Sequence, residues 1–285
     1  MLPGITIKFD NGNINTVVST EDGVFGLLAS AVPVAGKFEL QKAYTVKGMR
    51  DVAELGILPD VDNNVLYTKL KEFYEEAGEG TELWLMAFDR ADLVSDWFTP
   101  DIATGKSPAS LLLDASNGRV SLLFTSYSPL AAFVPTIENG LDEDVWLAKQ
   151  KAQIFAENYT NLEFSPIVIL LEGYSFDGDH IALPNLLEGD DNRVGIFIGN
   201  TQKRTGAITV LGAASNVLAA RLAKIPVQEN AGQVKRGSLE TLTAFIVDTP
   251  VENFDVTALH DKGYVTFRTH VRKSGYYISD DPLAA

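Results

Sequence analysis

The sequence contains no cysteine, which excludes disulfides, thiolate metal sites and cysteine nucleophiles. Histidine is almost as scarce. His180, His260 and His270 are the three present, and they are scattered, so a surface or hydrogen-bonded role is expected for them rather than metal ligation. No apolar run reaches the roughly 18 residues that a membrane-spanning helix requires. The opening Met1-Leu2-Pro3-Gly4 has no basic stretch leading into an apolar one, so no secretory signal is expected. Positive charge is in short supply, with 23 Lys and Arg against 38 Asp and Glu, a net charge of −15 and a pI of about 4.6. A nucleic-acid partner needs clustered cations along the phosphates, so that class is set aside.

Several catalytic signatures are missing as well. No strand runs into a G-x-G-x-x-G turn, and there is neither a G-x-S-x-G elbow nor an H-E-x-x-H pair. Thr104-Gly105-Lys106-Ser107 resembles the end of a phosphate-binding loop, but the position that needs the loop's first glycine is Pro100. The expectation there is a turn, with Ser107 capping a helix that has Pro108 in its first turn. Asp60-Val61-Asp62-Asn63-Asn64 lacks the glycine and distal glutamate of a calcium loop and reads as a turn into a helix. Asn158-Tyr159-Thr160 is a glycosylation triplet without the secretory context that would make it matter.

What is present is the composition of a folded protein. Of the 285 residues, 46% are hydrophobic and 21% charged, and the mean hydropathy is +0.04. Four short apolar runs, Glu82–Phe88, Val120–Thr125, Pro166–Leu171 and Val194–Ile198, are continuous rather than alternating. That pattern belongs to strands covered on both faces. Helical stripes lie before, between and after them. Leu66, Leu70, Phe73, Tyr74 and Ala77 form one, with Asn63 or Asn64 as cap. Val145, Ala148, Ala152, Phe155, Ala156 and Tyr159 form a second, with Asp142, Glu143 and Asp144 in its first turn, where acids suit the helix dipole. Val210, Ala214, Val217, Leu218 and Leu222 form a third, closed by Pro226. Strands alternating with helices predict an α/β fold, a layered mixed sheet, with α+β as the neighbouring class. Ile5–Phe9 reads as a strand at the N-terminus, followed by the turn Asp10-Asn11-Gly12-Asn13. Tyr264–His270 and Tyr276–Ser279 read as a C-terminal β-hairpin turning at Lys273-Ser274-Gly275. The division that follows is an extended arm over residues 1–20 and an α/β core over 21–285, with an excursion inserted at 89–119.

Ligands of open α/β sheets bind beyond the carboxyl ends of the strands. Asp89, Glu172, Asp177, Asp179, His180 and Asn200 all fall just past the expected strands. Converging there, the acids would hold Mg²⁺ for phosphoester chemistry, and a metal-dependent α/β hydrolase is therefore one reading. The alternative is that loops are simply polar. Charge is also unevenly distributed. Residues 1–200 carry 13 basic and 30 acidic side chains, net −17, while residues 201–285 carry 10 and 8, net +2. Lys203 and Arg204 follow the fourth strand, and Arg268, Arg272 and Lys273 sit on or beside the hairpin. An acidic body with such a C-terminal part favours head-to-tail attraction between copies.

Leu2-Pro3-Gly4-Ile5-Thr6-Ile7, Asn11-Gly12-Asn13 and Glu21–Leu28 resemble the start of tail sheath proteins from phages and phage-like elements of Bacteroides-type bacteria. Lys47–Val52 with the helix after it, and Leu259–Asp281 with its glycine turn and hairpin, are similar to the same family. The resemblance implies a structural subunit of a contractile sheath, with no catalytic residues and no cofactor. It implies copies of the same chain as partners in a helical array, along with tail tube and baseplate proteins. It places the protein in the virion tail, assembled in the host bacterial cytoplasm. Ile5, Thr6, Ile7, Lys8 and Phe9 would be the arm strand that adds to a neighbour's sheet. Lys203, Arg204, Arg268, Arg272 and Lys273 would face acidic patches on adjacent subunits or on the tube. Sheath proteins of this type continue past the hairpin into a further C-terminal domain, which this sequence is expected to lack.

Overall fold

The computed structural model of the chain describes residues 23–202, 212–226, 229–247 and 253–280. Its elements run in the order β1 (Val24–Ser30), β2 (Tyr44–Val46), α1 (Met49–Glu54), α2 (Asn64–Ala77), β3 (Leu83–Phe88), α3 (Val94–Trp97), α4 (Ser110–Ala115), β4 (Val120–Ser126), β5 (Ile137–Glu138), β6 (Leu141–Asp142), α5 (Glu143–Glu163), β7 (Val168–Glu172), β8 (Val194–Phe197), α6 (Ser215–Lys224), α7 (Asn253–Asp261), β9 (Phe267–Arg268) and β10 (Tyr277–Ile278). The main sheet has six strands in the order β2-β3-β1-β4-β7-β8. All neighbours are parallel except β2, which runs antiparallel to β3. The sheet is thus mixed, and the α/β expectation holds.

The continuous apolar runs are explained by cover on both faces. Helices α2 and α6 pack on each other, with α6 lying over β4, while α5 packs on β7 and β8 and carries α3. The apolar stripe of α2 buries Leu66, Leu70, Phe73, Tyr74 and Ala77, and Phe73 stacks on Phe124 of β4 at 5.8 Å between centroids. The six stripe residues of α5 named from the sequence are all buried. Strand β1 is central, flanked by β3 and β4. It carries Gly26, where a Cβ would stand 2.6 Å from a methyl of Leu123 and 3.0 Å from one of Leu112. The missing side chain is what lets those residues fill the face of the sheet.

Three expected boundaries move. The helix placed at Ser107-Pro108 begins at Ser110 instead, because Pro108 and Ala109 form a turn whose Ala109 N–H donates to Trp97 O. Ser107 accepts from Ser110 through its carbonyl, so its hydroxyl does not cap. The third helical stripe begins at Val210 in the sequence, which lies outside the described residues, and the described helix starts at Ser215. The carbonyls of Gly212 and Ala213 are drawn out of helical register by the Asn200 amide and the Lys69 ammonium. The final hairpin is shorter than its sequence pattern. Val265 leaves it to extend the main sheet, bridging Phe197 and accepting from Ile198 N at 2.9 Å, while Tyr264 N donates back to Leu259 O at the end of α7. β9 and β10 then pair antiparallel over two residues each. Residues 89–119 carry α3 and α4 and connect β3 to β4.

Candidate functional site

The chain passes from β3 on one side of β1 to β4 on the other, which makes the carboxyl end of this sheet its topological switch point. The acids expected there do not converge. Asp89, Asp177 and Asp179 are exposed, and each accepts from backbone N–H groups of its own turn. Asn200 binds the Gly212 carbonyl, and His180 is half-buried on the loop after β7. Among the described residues no group of three His, Asp or Glu side chains is placed to hold a metal ion. The Thr104–Ser107 segment is a turn in which Asp101 accepts from Ala103 and Thr104, and Lys106 pairs with Asp114 at 2.7 Å.

Glu172 is the exception, buried at 2% exposure and built into a seam between α2 and α6. Lys69, Glu72 and Glu76, spaced three and four apart, share one side of α2. Lys69 Nζ lies 3.2 Å from Glu172 Oε1 and donates to the Ala213 carbonyl. The other oxygen of Glu172 accepts from Tyr127 N at 2.6 Å. A Cβ on residue 212 would come within 2.9 Å of Glu172 Oε2, so Gly212 lets the backbone close over the carboxylate. Asn216 donates from its amide to Lys69 O at 3.0 Å and to Glu72 Oε2 at 2.9 Å. One turn on, Arg221 Nε stands 2.9 Å from Glu76 Oε1, and Glu240 N donates to Glu76 Oε2 at 3.0 Å. Burial pushes the Glu172 carboxyl up to about 7 despite the ammonium beside it. Burial raises Glu76 too, against the pull of the Glu240 N–H and the Arg221 guanidinium. A cavity of about 380 Å³ opens beside the seam, lined by Lys69, Glu72, Arg90, Tyr127 and Thr201. Lys69 and Glu72 are tied into the seam, and Arg90 donates to the carbonyls of Ser128 and Pro129. Thr201 closes the lining by donating its hydroxyl to the Glu72 carboxylate, and the arrangement locks two helices to the sheet.

A second polar cluster lies at the start of α5. Asp142 caps the helix, accepting from Asp144 N at 3.0 Å and Thr136 N at 3.1 Å. Asp144 accepts from the Tyr174 hydroxyl at 2.9 Å and from Ser95 N at 3.3 Å through Oδ2. Its Oδ1 is buried without a hydrogen-bond partner. The two carboxylates are 2% and 3% exposed. Burial raises the Asp142 carboxyl, and the Asp144 and Glu143 charges raise it further. The Tyr174 phenol is driven far up by burial and by the two acids. Asp142, Glu143 and Asp144 line a hollow of about 440 Å³ with Glu138, Phe133 and Trp146, and no lysine or arginine lines it.

The basic residues singled out from the sequence divide in two. Lys203 and Arg204 lie outside the described residues, as do Ile5, Thr6, Ile7, Lys8 and Phe9. Arg268, Arg272 and Lys273 lie on the hairpin and its turn. Among the described residues none of these three has a carboxylate partner. Arg272 holds a left-handed φ of 66° in the turn, and Lys273 N donates to His270 O. The His270 ring packs on Tyr277 at 4.7 Å, and burial, with the Arg268 and Lys273 charges, lowers its pKa. His260 instead meets Asp280, Nδ1 to Oδ2, at 3.3 Å. Sequence reading missed Lys69, Glu76, Arg221 and the inward face of Asp144. The available signal was a charged residue flanking the apolar stripe of α2, Lys69 before Leu70 and Glu76 before Ala77.

No helix among the described residues is long and apolar enough to cross a membrane. A family model, that of DUF2586, N-terminal domain, matches residues 2–282. No curated protein sequence matches the chain. Among solved structures, the chain is similar to the sheath tail protein from Desulfitobacterium hafniense, with 12% identity and a TM-score of 0.52, over 99% of this chain and 76% of that one. It is also similar to the sheath of PVC, an extracellular contractile injection system, in its contracted state, with 11% identity and a TM-score of 0.48 over 98% of this chain. The chain spans 65% of the length of that injection-system sheath chain.

Proposed function

We propose that this chain, which belongs to the DUF2586 family through its N-terminal domain, is a structural subunit of a contractile sheath, in a phage tail or an injection system. The observation that carries the reading is the fold. Nearly the whole chain superposes on a sheath tail protein at 12% identity. The switch point supports it, since buried charge there fastens helices to the sheet instead of converging on a substrate. A rigid body of this kind suits a machine whose subunits rotate as units while their connections flex. The narrower form of the reading is the likeness to sheaths of Bacteroides-type bacteria. On that reading residues 1–20 form an arm, with Ile5–Phe9 donating a strand to a neighbour. The core begins at residue 21.

The partners in this reading are other copies of the chain, a tail tube and a baseplate, met during assembly in the bacterial cytoplasm. The three unpaired cations of the hairpin supply one of the contacts, since acidic groups already keep the body soluble. Contacts between unlike surfaces that do not close build an open helical filament. Negative-stain electron microscopy of the full-length gene product, over a series of concentrations and salt, tests the proposal. Rings or tubes are expected. A particle that stays monomeric under every condition overturns it.

A further inference from the structure

The hollow at the start of α5 has an unusual inventory. Glu138, Asp142, Glu143 and Asp144 contribute four carboxylates, Phe133 and Trp146 contribute aromatic faces, and no cation lines it. The indole in the wall is held in place, because Trp146 Nε1 donates to Glu138 O at 2.7 Å. Glu138 and Glu143 are exposed, Asp142 is a satisfied helix cap, and Asp144 is 97% removed from solvent with Oδ1 unpartnered. An ionised oxygen left without a donor in a buried position is costly unless something supplies the donor. Carboxylates backed by an indole face recognise a lysine or arginine side chain, through charge-assisted hydrogen bonds and cation–π attraction together.

The same chain carries the complementary group. Arg268, Arg272 and Lys273 fall within six residues of the C-terminal hairpin and its turn, all without a carboxylate partner. Among the described residues no ion pair joins the hairpin to the hollow. We propose that the acidic, aromatic-walled hollow formed by Glu138, Glu143, Asp144 and Trp146 receives the basic hairpin of a second copy of this chain. The contact joins unlike surfaces, so it repeats from copy to copy without closing. The inference rests on the sheath reading and adds to it one particular pair of faces.

The test is a charge exchange between two variants of the full-length protein. One carries Glu138→Lys with Glu143→Lys, and the other carries Arg272→Glu with Lys273→Glu. All four positions are exposed, so thermal unfolding should match that of the native protein. Should the lysine pair fail to fold, Glu138→Gln with Glu143→Gln replaces it, and its own loss of assembly is then the readout, since a neutral hollow has no charge to exchange in a mixture. Sedimentation velocity over a concentration series at low salt reads assembly. Each variant alone should raise the concentration at half-assembly on the order of tenfold. An equimolar mixture of the two should restore assembly, because each reversed face then meets its reversed partner, and so should a chain carrying all four changes. Assembly unaffected by either variant overturns the contact and leaves the sheath reading standing. Impairment that the mixture does not repair also overturns it, since the charges would then face a tube or other protein. A native protein that never assembles removes the sheath reading and this contact together.

Discussion

Two places at the carboxyl end of the sheet bury acids, and they treat them differently. In the α2–α6 seam each buried carboxylate meets a buried cation, Glu172 with Lys69 and Glu76 with Arg221. At the start of α5, Asp142 and Asp144 meet backbone N–H groups and a tyrosine hydroxyl, and no cation among the described residues. The seam is electrically closed, so its charges act as fasteners. The α5 cluster is left negative, with an oxygen of Asp144 unused. Closure marks a fastening and imbalance marks a face that another molecule completes.

The sharpest way to break that comparison is to open the seam. Lys69→Met keeps the length of the side chain and removes the cation, stranding Glu172 at 2% exposure. Removing one partner of a buried pair costs on the order of 3–5 kcal/mol. The full cost should appear near pH 8 and shrink at acid pH, where Glu172 takes up a proton and becomes neutral. Pairing the change with Glu172→Leu should recover most of the loss, because an apolar replacement of both members leaves no charge behind. Urea unfolding of the single and double variants checks this. A single variant within about 1 kcal/mol of the native protein would mean that the seam is not what holds α2 and α6 to the sheet.

The sequence made much of this frame legible. Continuous apolar runs revealed β3, β4, β7 and β8, since strands covered on both faces have no polar alternation to confuse them. The stripes of α2 and α5 were readable for the same reason, because a wide apolar face leaves a clear period. The central strand was not read from its residues. Val24–Ser30 is short and includes Gly26, Ala29 and Ser30, which weaken the strand signature, and it entered the sequence reading only through the family resemblance. The acids beyond the strands were visible but their grouping was not. Asp89 and Asp177 turn back on their own loops, while Glu172 finds a lysine 103 positions earlier in the chain. Lys69 is marked locally as a charge beside the apolar stripe of α2, but nothing local names Glu172 as its partner, and Arg221 has no such mark. The hairpin cations were legible as a cluster, and the structure adds that Arg268, Arg272 and Lys273 have no carboxylate partner among the described residues.

A pH series sharpens the contrast next. The Glu172 carboxyl sits at about 7 in the fold against an ordinary 4.5. Between those values the folded chain holds a proton that the unfolded chain has released, so stability falls as pH rises through the window and reaches its lower plateau above it. The fall attributable to Glu172 is on the order of 3 kcal/mol. Glu76 and Asp142, also raised by burial, add to it in the same direction. Denaturant midpoints measured from pH 4.5 to 8 should therefore decline, and Glu172→Gln should remove most of the decline. Stability that is flat or rising across that range would show Lys69 holding Glu172 fully ionised, and the seam would then be closed more tightly than its burial implies.

The smallest effect is expected at the open cluster. Asp144→Asn keeps an acceptor for the Tyr174 hydroxyl and the Ser95 N–H, and takes the charge off the buried group whose Oδ1 has no partner. It removes a negative charge that opposes ionisation of Asp142. Against these gains it gives up a charge in the first turn of α5, where an acid contributes about 0.3–1 kcal/mol through the helix dipole. The terms nearly cancel, so stability at pH 7 should move by less than about 1 kcal/mol. Asp142 should then titrate closer to the ordinary carboxylate range, flattening its share of the decline with pH. Urea unfolding at pH 5 and pH 7 reads both quantities. A loss above about 2 kcal/mol at pH 7 would mean that the Asp144 charge is already compensated within the chain, by analogy with Glu172. The two clusters would then be alike, and the α5 hollow would have no unmet charge for a second molecule to satisfy.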